Sequence, residues 1–133
     1  MGYLFEMFEI KQGKVVNTKS LKDGNVKIIS NGSKQYKKDI ESNLNDECII
    51  ITKMSIDVIF ISKEECKDYY ISSGAFILTL KEDYKKSFLL KYLFFCFQAF
   101  GIIELLKSKR HGSLQQAINK NDLQNVLKIC KTG

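Results

Sequence analysis

The 133-residue chain contains no proline. That absence excludes Pro-rich linkers that would mark a domain boundary, and with them the proline-bearing NPPY and DPPY signatures of DNA methyltransferases. Histidine is nearly absent too: His111 is the only one, and the four cysteines, Cys48, Cys66, Cys96 and Cys130, form no CxxC pair. A Cys/His zinc site of ordinary spacing is therefore excluded. The N-terminus lacks a basic segment followed by an apolar one, so no secretory leader is expected, and free thiols in a reducing, cytoplasmic compartment are. Arginine is represented only by Arg110, so lysine carries the formal net charge of +6. Lysine is a flexible point charge suited to phosphate, whereas arginine is the better bidentate reader of guanine. The charge favours an anionic partner, nucleic acid before a membrane surface, although a merely basic soluble protein fits it equally well.

Catalytic and cofactor motifs are missing as well. Gly13-Lys14 is not a phosphate-binding loop, because no glycine stands five residues before Gly13 and Val15 replaces the magnesium-binding Ser/Thr. There is no GxGxxG and no GxSxG elbow. His111 and Ser113 have no orienting acid nearby in sequence, which disfavours a nucleophile–base pair. The carboxylate pairs Asp46-Glu47, Glu64-Glu65 and Glu82-Asp83 fit solvated turns or helix starts. No catalytic residue, metal site or cofactor is expected, and the chain is read as non-enzymatic.

What is present begins with hydrophobic patterning, since 44% of residues are hydrophobic and a real core is within reach. Residues 88–106, "FLLKYLFFCFQAFGIIELL", are long enough to span a bilayer. Lys91, Gln98 and Glu104 interrupt them, and a lysine at a membrane-helix centre costs roughly 2.5–3.5 kcal/mol. Ser87, Lys91, Gln98 and Gly101 fall within an arc of roughly 80° on a helix. The pattern predicts a long, largely buried amphipathic helix starting at Asp83, and no membrane partner.

Strands are expected at 7–11, 26–30, 47–53, 56–62 and 69–80, the last bent at Gly74. Asp23-Gly24 and Asn31-Gly32 are turn signals, and residues 34–46 are expected to form a long exposed loop. Asn119 and Asn121-Asp122 look like cap chemistry for a last helix over 123–127. Strands first and a dominant helix late give an α+β domain around a curved, antiparallel or mixed sheet, with residues 1–133 as one unit.

Taken in order, these segments resemble one target-recognition domain of the type I restriction-modification specificity subunit. The residues carrying the resemblance are Phe8-Glu9-Ile10-Lys11-Gln12-Gly13-Lys14, then Val26-Lys27-Ile28-Ile29-Ser30-Asn31-Gly32. An apolar hairpin over 48–61 follows, in which Met54-Ser55-Ile56 stand where the family has glycines. Next come Tyr69-Tyr70-Ile71-Ser72-Ser73-Gly74-Ala75-Phe76-Ile77-Leu78 and the apolar run 88–95. Gly112-Ser113-Leu114-Gln115-Gln116-Ala117-Ile118 with Leu123, Val126, Leu127 and Ile129 close the series. The family's closing prolines, its spacer helices and its second recognition domain have no counterpart here. The resemblance implies a domain that binds double-stranded DNA, with an adenine methyltransferase subunit or a second recognition domain as a further partner.

On that basis the candidate DNA-contacting residues are Lys14, Asn31, Ser33, Lys34, Gln35, Lys53, Arg110, His111 and Gln115. Lysines would contact phosphates while polar loop residues probe base edges. Each also has a plainer interpretation: Asn31-Gly32 as a turn, Lys34 as part of a solvated face, Gln115 as a backbone tie, Arg110 and His111 as complements to a helix dipole. A structural or interaction protein that keeps the fold without reading sequence is the alternative, and a regulator that blocks a methyltransferase or motor is a third.

Overall fold

The structure is a computed structural model and describes residues 2–31, 36–86, 88–112 and 116–131. Its centre is β4 (Cys48–Thr52), a Cys-Ile-Ile-Ile-Thr run in which all five residues are buried. A continuous β-branched run of this length is what a strand covered on both faces requires. β4 lies between β7 (Ala75–Leu80) and β5 (Val58–Ile61), and β1 (Phe8–Gln12) pairs with the far edge of β7, all antiparallel. Registers pair Ile49 with both Leu78 and Phe60, and Gln12 with Phe76.

The period-two alternation of the strands sorts side chains into two cores. Ile49, Ile51, Phe76, Leu78 and Leu80 face one side, where they meet α1 (Leu4–Met7), α2 (Leu90–Ala99), α3 (Ile102–Ser108) and α4 (Lys120–Ile129). Cys48, Ile50, Ala75 and Ile77 face the other and meet Ile29 and Ile71 of a smaller sheet. That sheet is β3 (Tyr36–Lys38), β2 (Asp23–Ile29) and β6 (Tyr69–Ile71), with β2 antiparallel to β3 and parallel to β6. Burying each isoleucine contributes roughly 1.5–3 kcal/mol. The α+β class with a mixed, antiparallel-rich sheet layer is as expected.

Several elements differ from the sequence expectation: Leu4–Met7 form the short helix α1, and Asp23-Gly24, expected as a turn, lie inside β2. The run 69–80 is two strands in two different sheets, β6 and β7, joined by the turn 72–74. Residues 36–38, expected inside a loop, are the edge strand β3. Beyond it Asn43 acts as a surrogate strand, its amide accepting from Ile71 N and donating to Ile71 O at 2.8 Å each.

The single long helix is divided. A 3₁₀ turn covers Glu82–Tyr84, α2 starts only at Leu90, and Gly101, with φ 70°, separates α2 from α3. A left-handed residue reverses the local chain direction, and only glycine adopts it without strain. Leu90, Leu93, Cys96 and Phe97 are buried, but Leu89, Tyr92, Phe95 and Phe100 remain exposed, because the sheet covers only one side of α2. α4 carries the expected cap: Asn119 Oδ1 accepts from Asp122 N, and Asp122 Oδ2 accepts from Asn119 N, both at 2.8 Å. None of the helices described is long and apolar enough to cross a membrane.

Candidate nucleic-acid interface

The turn between β6 and β7 gathers segments that are remote in sequence. β1 leaves the sheet at Gln12, and Gly13 N donates to Ala75 O at 3.1 Å. A side chain at Gly13 would overlap the carbonyls of Ile71 and Ser72, so this close approach needs glycine. Lys14 N then donates to Ile71 O at 3.1 Å, leaving the Lys14 side chain exposed. Asn31 follows the end of β2 and lies against Gly74, where an added Cβ would come within 2.6 Å of Asn31 N. Lys53 follows β4, its N–H donating to Gly74 O at 2.9 Å.

Lys53 is half-buried. Its ammonium donates to Gln12 Oε1 at 2.6 Å and stands 5.0 Å from the centroid of the Phe76 ring. It joins no ion pair among the described residues. Burial holds its pKa below the usual lysine value. A partly desolvated cation that shares only a neutral amide and an aromatic face can take up an external anion.

The β4–β5 turn beside it is densely bonded. Asn31 O accepts from Ser55 N at 3.3 Å, and the Ser55 hydroxyl donates to Asp57 Oδ2 at 2.8 Å. Arg110 follows α3 and reaches this turn: Nη1 donates to Met54 O at 3.0 Å, while Nε donates to Lys107 O at 3.3 Å. Ile118 N donates to Lys53 O at 2.9 Å, so the segment leading into α4 is also fastened here. His111 and Ala117 exchange backbone hydrogen bonds of 3.0 and 3.1 Å. The His111 ring turns to α4 instead, with Nε2 2.9 Å from Asp122 Oδ2.

Of the candidates drawn from sequence, Lys14, Asn31, Lys53 and Arg110 therefore meet around one end of the central sheet. His111 is next to Arg110 in the chain but faces α4. Ser33, Lys34, Gln35 and Gln115 lie outside the described residues. Sequence reasoning missed Gln12, Ser55 and Ile56. For Ile56 the signal was present: it stands in a turn where glycine is expected, and it has φ 54°.

Among the described residues no group of three or more His, Cys, Asp or Glu could hold a metal ion. Burial, with smaller contributions from neighbouring Cys66, Asp46 and Glu47, pushes the Cys48 thiol up to about 12, and burial also raises Cys66 and Cys130. These three thiols stay protonated at neutral pH and are poor nucleophiles.

No protein-family model matches the chain, and no curated protein does. Solved structures do match. One is the crystal structure of the type I restriction-modification system S subunit from M. genitalium, with a TM-score of 0.74 and 17% sequence identity. The match covers 92% of this chain and 31% of that one, so the chain spans about a third of the S subunit's length. At this identity the likeness is one of fold.

Proposed function

We propose that residues 1–133 form one non-catalytic recognition domain that binds double-stranded DNA through the end of the central sheet. The observation that carries this is Lys53: a half-buried lysine with no ion-pair partner among the described residues, near Lys14, Asn31 and Arg110, on a fold shared with a specificity subunit. Lys14 and Lys53 contact phosphates. Asn31, with Ser33, Lys34 and Gln35 that follow it in sequence, probes base edges from the loop after β2. Arg110 holds the β4–β5 turn through Met54 and presents its remaining donors to the same groove. His111 and Gln115 are the remaining candidate contacts. A DNA adenine methyltransferase subunit or a second recognition domain is the protein partner, in the cytoplasm.

The second reading, an interaction protein that keeps the fold without reading sequence, is favoured by the exposed Leu89, Tyr92, Phe95 and Phe100. Selection from a random duplex pool at two salt concentrations separates the two. Enrichment of a short motif supports sequence reading. Binding that vanishes with added salt and enriches nothing supports the second, and no binding at low salt removes the DNA proposal.

A further inference from the structure

We infer that Ile56 is a positioning residue, locking the β4–β5 turn so that the Lys53 ammonium is presented in one pose. This rests on the proposal above for the identity of the anion that Lys53 receives. Ile56 has φ 54°, and it is the only non-glycine residue with positive φ among those described. For a β-branched side chain that conformation sets Cβ against the following carbonyl and is a true outlier. Such a dihedral persists only where the surroundings over-determine it, and outliers of this kind gather at functional sites.

The surroundings here do over-determine it. The Ile56 side chain is 2% exposed and belongs to the helix-side core. Thr52 N donates to Asp57 O at 3.1 Å, and Asp57 N donates to Thr52 Oγ1 at 2.8 Å, closing the turn on both sides. The Thr52 and Ser55 hydroxyls are 2.8 Å apart. Asn31, Arg110 and Ile118 fasten the outer rim through Ser55 N, Met54 O and Lys53 O. Glycine at position 56 would supply the dihedral without strain but would leave nothing to bury. Isoleucine instead nails the turn to the core from below. Lys53 opens the same turn, and its ammonium, with no ion pair among the described residues, already rests on Gln12 and Phe76, so its pose is set before any anion arrives. Pre-organisation of this kind removes an ordering cost from binding.

The test is a comparison of Ile56→Gly, Ile56→Val and Lys53→Met, with the labelled random duplex pool as probe across a salt series. Ile56→Gly weakens binding about three- to tenfold, the cost of ordering one or two long side chains on association. Its salt slope stays that of the parent, because the bound state keeps the same phosphate contacts. Lys53→Met instead flattens the slope by about 0.9, one phosphate lost. The double variant binds no more weakly than Lys53→Met alone, and Ile56→Val behaves as the parent.

Parent-like affinity in Ile56→Gly, or additive losses in the double variant, overturns the inference. Amide hydrogen exchange supplies a readout independent of DNA: residues 53–55 lose more protection in Ile56→Gly than β4 and β7, whose loss follows the drop in global stability. Unchanged exchange at 53–55 also overturns it. Ser55→Ala, which leaves the core intact, shifts both measurements in the same direction by less and serves if Ile56→Gly does not fold. A parent chain that binds no duplex defeats the DNA proposal, and the exchange measurement then decides the lock by itself.

Discussion

Gly74→Ala is the sharpest perturbation of this architecture. An alanine Cβ at Gly74 would come within 2.6 Å of Asn31 N, Cγ and Oδ1. The side-chain atoms can rotate away, but the backbone nitrogen cannot, so either the end of β2 or the 72–74 turn must move. Overpacking of that sort costs about 1–3 kcal/mol. For a domain of this size each kcal/mol moves Tm by about 3–5 °C, which predicts a drop of roughly 3–15 °C by calorimetry or circular dichroism. The displacement reaches the interface as well, because Gly74 O accepts from Lys53 N at 2.9 Å. Amide shifts should therefore change at Asn31, Lys53 and Ser55 while α4 stays as it was. Gly101→Ala is the contrast: its φ is 70°, but nothing lies within 4 Å of an added Cβ. It carries only the dihedral cost of about 1–2 kcal/mol and leaves the amides of Asn31 and Lys53 in place. Adding Asn31→Gly to Gly74→Ala restores part of the loss, since it removes two of the three overlapping atoms. A Gly74→Ala protein that melts within about 1 °C of the parent, with Asn31 unshifted, would refute the close approach of these two turns.

Lys53→Met is expected to keep or raise thermal stability while weakening duplex binding. Burial lowers the Lys53 pKa, so the fold disfavours the charged form, and parent stability rises as pH climbs from the folded pKa to the usual lysine value of 10.5. Urea midpoints should lose that rise in Lys53→Met; a marked destabilisation would contradict it. Asn119→Ala removes one half of the α4 capping box and should cost about 1 kcal/mol, read as a lower urea midpoint at unchanged m-value. Asp46 is pushed up by burial but pulled down further by the Glu47 N–H and Lys85, leaving its pKa below 3.8. Its stabilisation is present above the unfolded carboxylate value and is lost as pH falls through the folded one. Asp46→Asn should therefore flatten the acid limb of stability below about pH 5, and an identical limb in both proteins would dismiss the Asp46–Lys85 contact.

The elements most legible in the sequence were those with a strong local signal. The Cys-Ile-Ile-Ile run announced β4, and Asn119 with Asp122 announced the start of α4, because burial pattern and capping are properties of neighbouring residues. The division of 69–80 was less legible. Both halves are apolar and extended, and only the pairing of β6 with β2 and of β7 with β1 and β4 assigns them to different sheets. Asn43 was invisible for a similar reason: a polar side chain in a polar segment becomes a strand surrogate only once Ile71 is placed beside it. In the helical stretch, Gly101 looked like a small residue on a polar stripe, and its positive φ became evident only when the chain had to turn there.

For the candidate interface, the residue types were legible but their company was not. Composition and order alone determined a lysine-borne positive charge, the lack of any metal or cofactor motif, an α+β arrangement, and the individual candidacies of Lys14, Asn31, Lys53 and Arg110. Those follow from what each residue is and from its near neighbours. The tertiary structure decided that Lys14, Asn31 and Lys53 converge on the 71–75 segment, that Arg110 reaches the adjoining β4–β5 turn through Met54, that Lys53 rests on Gln12 and Phe76 with no ion pair among the described residues, and that His111 is tied to Asp122. It also decided that position 56 must turn left-handed above the core. Most of those depend on contacts between segments tens of residues apart, where packing and backbone hydrogen bonding, rather than local preference, select the geometry.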